Sequence, residues 1–406
     1  MTLSHKPAHP IVFFILSLPY GITTGLVQVE FGDLYQKAGV STEQIALLLG
    51  STLIPNIIKF IWAPLVDTTL SLKKWYVLTA ILSAIGIVAS GMLPVKESSL
   101  ALLNTITVLT NIAVGFTYMV ATGLAAHDTP HELRGKVGGY SQAGNIGGLG
   151  LGGGLGLWLA IEFKSVILSV VVLAIITLAT CFSLFFVKEP VSTVKTGKAT
   201  ETLGNLFKDI WGSIKTKFGL LALILCFLPL GTGAISGFFS DLHTYWNASD
   251  STVEIFIGVI GGLITSAGCL VGGWICDRME RQKAYIIFGW LNAMVAAGMV
   301  FSPHTEILYI IWTSIYAFTL GFCFAAFSAF VFEAIGKGAA GTKYTVFSSL
   351  SNAPIYAVTI AEGWTQTKFG LNWMFNIELM CALVATILFF ITFKALGIGK
   401  LTPIET

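Results

Sequence analysis

Apolar residues in this chain come in long runs, not at the three-and-four spacing of a helix with one wet face. Twelve runs approach or exceed the roughly 20 residues that a helix needs to cross a bilayer core. They span 11–31, 44–65, 75–93, 99–125, 137–160, 165–187, 218–241, 254–276, 284–302, 306–332, 343–362 and 374–396. Strand alternation is weak, so the pattern predicts an all-α polytopic membrane protein with twelve spans and not a β-barrel. The first run extends past a short signal-peptide core, contains Pro19 and Gly21, and lacks a small-x-small cleavage site, so it reads as a retained span. The longest polar stretch, 188–217, holds Pro190, Gly197 and Gly204 and reads as a linker between one six-helix bundle at 1–187 and another at 218–406. Within it Leu203, Leu206, Phe207, Ile210, Trp211, Ile214 and Phe218 recur at helical spacing. That stripe predicts either a helix lying on the membrane surface or a helical lead-in to the seventh run.

Composition agrees with this class. Of 406 residues, 55% are hydrophobic and 11% charged, against about 25% charged in a soluble domain. A cytosolic enzyme and a disordered chain are excluded. A net charge of +2 leaves no basic field for nucleic acid. The six cysteines lie in or at the ends of apolar runs without metal-type spacing. No nucleophile–base pair or phosphate loop is visible, so neither catalysis, cofactor nor metal is expected. If both termini face the cytoplasm, 18 Lys and Arg fall on that side and 4 on the other, with Lys59 left inside a helix. The positive-inside rule therefore orients both termini inward.

The halves repeat. Leu18-Pro19-Tyr20-Gly21 recurs as Leu228-Pro229-Leu230-Gly231, and Asp67 and Asp277 stand 210 residues apart. Gly135 to Asn145 is similar to Gly341 to Asn352. Six helices repeated in parallel orientation is the organisation of many secondary transporters, with a solute site near the midplane.

The loop Gly273-Trp-Ile-Cys-Asp277-Arg278-Met-Glu280-Arg281-Gln-Lys283 resembles the major facilitator signature G-x-x-x-D-R/K-x-G-R/K-R/K, departing from it at Glu280 and Gln282. Three further strings resemble the AmpG-like muropeptide permeases and their relatives, the acetyl-CoA transporters and single-component siderophore permeases. These strings are Lys59-Phe-Ile-Trp62-Ala-Pro64-Leu-Val-Asp67, Glu132-Leu-Arg134-Gly135, and Gly341-Thr-Lys-Tyr344-Thr-Val-Phe-Ser348-Ser-Leu-Ser-Asn352. The resemblance covers about 15–395 and implies a major facilitator fold moving a solute by alternating access. It points to proton-coupled uptake of muropeptides across a bacterial inner membrane by a monomer. A ferric-siderophore or acetyl-CoA-type permease is the nearest alternative, and a non-transporting receptor or scramblase on the same fold is the alternative of another class.

Candidate residues follow from position. Asp67 and Asp277, with Arg278 and Arg281, are expected to gate, each carboxylate meeting the start of a helix near Gly341 and Gly135 respectively. Gly144, Gly148, Gly152 and Gly156 form a stripe expected to meet Gly258/Gly262 and Gly268/Gly272, as a pivot or as static packing. Lys59, without a counterpart in the second half, is a candidate for solute binding or coupling, for snorkelling to the interface, or for pairing with an acid. Tyr20, Thr24, Gln28, Asn111, Tyr118, Ser236, Tyr316, Asn352 and Tyr356 are expected to line the solute site. Glu30, Glu333 and Glu362 are the proton-coupling candidates. Glu30 and Glu362 also suit a solvated rim, and Glu333 a gate contact with Lys343 or Lys136.

Overall fold

The computed structural model describes residues 7–189, 214–249, 260–335 and 340–397, together with 208, 211, 212, 252, 253 and 256. Most of the stripe expected at 203–218 lies outside the described residues, as does Gly258. The described residues are helical, and eight helices are long and apolar enough to cross a membrane. They fall into two compact units. As far as the described residues go, one holds Met1–Pro130, Gly144–Phe207 and Ala339–Val346, the other His131–Ala143, Lys208–Gly338 and Phe347–Thr406.

In the first unit α1 (Ile11–Gly25) runs through Pro19 and continues as a π-helical stretch, Leu26–Phe31. The run expected at 44–65 is not one helix. It breaks into Thr42–Ser51, α2 (Leu53–Ile58), a 3₁₀ turn at Lys59–Ile61 and Pro64–Thr68. Pro64 cannot donate the N–H that would continue the helix, and its ring crowds the preceding turn. The unit is completed by α3 (Leu72–Gly91), α4 (Leu100–Asp128), most of α5 (Arg134–Gly150, then π-helical Leu151–Leu155) and α6 (Val166–Ala179).

The glycine stripe packs differently from expectation. A side chain at Gly144, Gly148 or Gly152 would strike the backbone of Phe14, Leu18 or Ile22 on α1, and one at Gly21 or Gly25 would strike α5. Small residues at four-residue spacing let the two backbones touch. The partner of the stripe is thus the first helix.

In the second unit α7 (Lys217–Phe227) stops before Pro229, and Gly231 (φ 59°) and Gly233 (φ 72°) turn the chain through left-handed backbone that favours glycine. The carbonyl freed at Leu230 accepts the Tyr285 hydroxyl at 2.9 Å, as a broken helix in a bilayer requires. Next come α8 (Gly261–Cys276), α9 (Arg281–Val300) and α10 (Glu306–Ile335). The eleventh run is α11 (Ala340–Leu350), whose residues up to Val346 belong to the first unit, and α12 (Asn352–Phe369), separated at Ser351, with Pro354 in the first turn of α12. α13 (Leu371–Ala395) closes the unit. Gly268 and Gly272 lie against Phe318 and Phe322 of α10, while Gly135 and Gly139 meet Gly273 and Cys269 of α8. The close approach of the fifth and eighth runs is therefore made by Gly135 and Gly139, ahead of the stripe.

Candidate functional site

In the first unit three tyrosines from different helices meet. Tyr20 of α1 stacks on Tyr118 of α4 at 4.7 Å and 24°, and Tyr118 meets Tyr344 of α11 edge-on at 6.4 Å. Tyr20 donates to Asn56 Oδ1 at 2.7 Å, and Asn56 donates to the Thr52 carbonyl at 2.9 Å. Gln28 reaches the Thr52 hydroxyl at 3.4 Å. Lys59 sits in the 3₁₀ turn, 7% exposed, with Nζ 5.9 Å from the Tyr20 ring centre. Among the described residues no carboxylate lies within ion-pair distance of it. Burial argues against snorkelling, and the missing carboxylate argues against an acid pair. Nζ thus stands over an aromatic face.

Other expected lining residues serve their own helices. Thr24 and Ser236 donate to the carbonyls of Tyr20 and Gly233. Asn111 is buried and donates to the Thr107 carbonyl at 2.9 Å, its own Oδ1 unpartnered. Asn352 is half-buried at the start of α12, and Tyr356 is 72% exposed.

Glu30 and Glu362 are both 0% exposed, which corrects the rim assignment. Glu30 Oε2 accepts the Ser169 hydroxyl at 2.7 Å. Any side chain at Gly156 would strike that carboxylate, so this glycine makes the room for it. In the second unit Tyr316 donates to Glu378 Oε1 at 2.6 Å. Tyr316 also lines a cavity of about 190 Å³ with Ser236, Thr265, Thr313, Ser314 and Phe239. Sequence reading passed over Glu378, although it is the one acidic residue in the run 374–396.

The two repeated aspartates bind helix starts. Asp67 Oδ2 accepts the Thr342 N–H at 2.9 Å and its hydroxyl at 2.6 Å. Asp277 takes Gly135 N–H on Oδ1 at 2.7 Å and Lys136 N–H on Oδ2 at 3.1 Å. Carboxylates favour such positions, where unpaired N–H groups and the helix dipole converge. Burial pushes both carboxyls up from the ordinary aspartate range, against the pull of these N–H groups and nearby cations.

Within its own unit Glu333 pairs with Arg281 and His131. Arg281, 5% exposed, lies 3.3 Å from Glu333 Oε2 and 3.8 Å from Asp277 Oδ1, and His131 Nε2 lies 3.2 Å from Glu333 Oε1. Arg278 instead covers the Trp274 ring at 3.6 Å on the surface. His131 was missed because a lone histidine ahead of a helix carries no spacing signal. Among the described residues no cluster suits a metal ion.

The profile of the Major Facilitator Superfamily matches residues 13–359. The anhydromuropeptide permease of Escherichia coli (strain K12) is 24% identical over 388 residues, spanning 93% of this chain and 77% of that protein. Among solved structures, the proton:xylose symporter XylE bound to 6-bromo-6-deoxy-D-glucose superposes with a TM-score of 0.70 at 15% identity, covering 94% of this chain and 95% of that one. A human organic anion transporter, MFSD10, gives 0.69 at 16% identity, covering 93% and 98%.

Proposed function

This chain belongs to the major facilitator superfamily, and from that premise we propose that it takes up cell-wall muropeptides in symport with protons. It is an integral membrane transporter and not an enzyme. In the proposed reading it is a monomer of a bacterial inner membrane with both termini cytoplasmic. Its halves, 1–187 and 218–406 joined by 188–217, rock about a midplane site.

The observation that carries the substrate class is Lys59, buried over Tyr20 with no carboxylate of the described residues within ion-pair distance. A muropeptide offers acetylated sugar rings to stack on tyrosine faces and peptide carboxylates to meet an ammonium. The resemblance to a permease for anhydromuropeptides supports the same choice.

Proteoliposomes carrying the purified protein should accumulate radiolabelled anhydromuropeptide when a proton gradient is imposed, and lose the accumulation when a protonophore is added. Accumulation of a ferric siderophore or a coenzyme A ester in its place would reassign the substrate. Binding without flux of any of the three would remove the transport reading.

A further inference from the structure

Glu362 and Glu378 stand on successive helices, α12 and α13, of the second unit. They are 0% and 4% exposed. Both oxygens of Glu362 are buried, and among the described residues neither has a hydrogen-bond partner. Glu378 accepts the Tyr316 hydroxyl on Oε1. The two carboxyls act on one another through space, and the other titratable groups facing them are Tyr316, Cys323 and Cys381. None of these brings positive charge. Among the described residues no Lys, Arg or His forms an ion pair with either glutamate. Two neighbouring carboxylates in a bilayer core without a cation repel one another and lack hydration, so such a pair keeps a proton.

We propose that Glu362 and Glu378 form one proton-binding site, linked by Tyr316 to the cavity beside it. Glu362, with no donor to stabilise a negative charge, holds the proton. Glu378, which takes the Tyr316 hydroxyl, carries the charge of the singly protonated pair. Release sends one proton from Glu362 to water in the cavity and leaves the pair one unit more negative; reloading reverses it. No other reactant is needed. The inference rests on the proton-coupled reading above, but its test uses no solute.

Infrared difference spectra between acid and alkaline pH, recorded on the full-length protein in nanodiscs, read protonated carboxyls by their C=O stretch. Wild type should lose such a band as pH rises. Glu362→Gln should remove one component of it, seen as a wild-type-minus-variant difference, while components of other buried carboxyls persist. Glu378→Gln removes the neighbouring charge and should move the midpoint at least one pH unit lower. Tyr316→Phe removes a donor to the anion and should move it upward while the band persists, a shift that loss of packing alone does not produce. No component lost in Glu362→Gln, or a midpoint of that component unmoved by Glu378→Gln and Tyr316→Phe, overturns the site. Should Glu362→Gln fail to fold, the direction of the two midpoint shifts decides the matter. A wild type that shows the titrating band yet transports no muropeptide would sink the substrate reading and leave this site standing.

Discussion

Asp67 holds Thr342 with a single oxygen: Oδ2 takes both the backbone N–H and the hydroxyl. Asp277 divides its two oxygens between the N–H groups of Gly135 and Lys136. The repeat-related aspartates therefore should not respond alike to amide replacement. In Asp67→Asn the remaining oxygen can keep both bonds. In Asp277→Asn an NH₂ group must face a backbone N–H, leaving a donor unpaired at a cost of about 1–3 kcal/mol. We expect Asp277→Asn to shift the resting population toward inward-open by roughly tenfold or more, and Asp67→Asn to shift it much less. Cysteine accessibility on both membrane faces measures the difference, and equal responses would refute the asymmetry.

The same geometry sets a pH dependence. Burial raises the Asp277 carboxyl against the pull of Lys136 and Gly135 N–H groups and of Arg281. A group whose pKa is raised in one state binds protons better there, so acid favours that state. The contact of Asp277 with α5 should thus be favoured below the raised pKa and weaken as pH rises through it. A protonated carboxyl keeps an oxygen toward each N–H, unlike an amide. Accessibility of a cysteine placed at Lys136, followed against pH, should increase toward alkaline values; a decrease would reverse the sign.

The glycine stripe was legible as a close contact but not as a contact with a particular helix. Periodicity in the chain marks Gly144, Gly148 and Gly152 as one face, yet every helix of a bilayer protein is apolar all round, so composition does not distinguish neighbours. Glu378 was hidden for a related reason: one carboxyl in an apolar run has no periodicity, and its partners Tyr316 and Glu362 come from other helices. The aspartates were easier, since an offset of 210 residues exposes a pair without knowledge of packing. The breaks near Pro64 and Pro229 were written in proline and glycine but obscured by unbroken hydropathy.

Because the stripe lies on the α1 backbone, its substitution should harm folding and not only turnover. Gly148→Ala or Gly152→Ala puts a methyl group into the backbone of Leu18 or Ile22, an overpacking cost of about 1–3 kcal/mol. Gly150→Ala meets nothing within 4 Å and should be tolerated. Melting temperatures of the three variants in detergent give the comparison. Equal stability would mean that α1 and α5 separate freely.

Glu30 fills the space left at Gly156 and takes a bond from Ser169, so we expect its role to be structural. Glu30→Gln preserves that shape, so gradient-driven accumulation should stay within about twofold of wild type. Glu30→Ala leaves a void and an unpaired hydroxyl and should cost about 2–5 kcal/mol of stability. Accumulation abolished in a well-folded Glu30→Gln protein would move proton coupling to the first unit.

Lys59 decides whether the tyrosine cluster binds an anion. Its ammonium is buried in the 3₁₀ turn beside Tyr20, at an insertion cost of roughly 3 kcal/mol, and no carboxylate of the described residues lies within ion-pair distance. A solute carboxylate would supply the missing charge. Lys59→Met retains the length and removes the charge, so it should weaken muropeptide affinity by tenfold or more while improving thermal stability of the empty protein. Lys59→Arg should recover part of the affinity, since a guanidinium also pairs with a carboxylate but needs a wider seat. Tyr20→Phe keeps the aromatic face and loses only the bond to Asn56, so it should cost less than Lys59→Met. Binding isotherms and gradient-driven uptake on the same variants separate two outcomes. Lower affinity with coupling intact assigns Lys59 to the solute. Unchanged affinity with lost accumulation assigns it to coupling, and would carry the proton site away from Glu362 and Glu378.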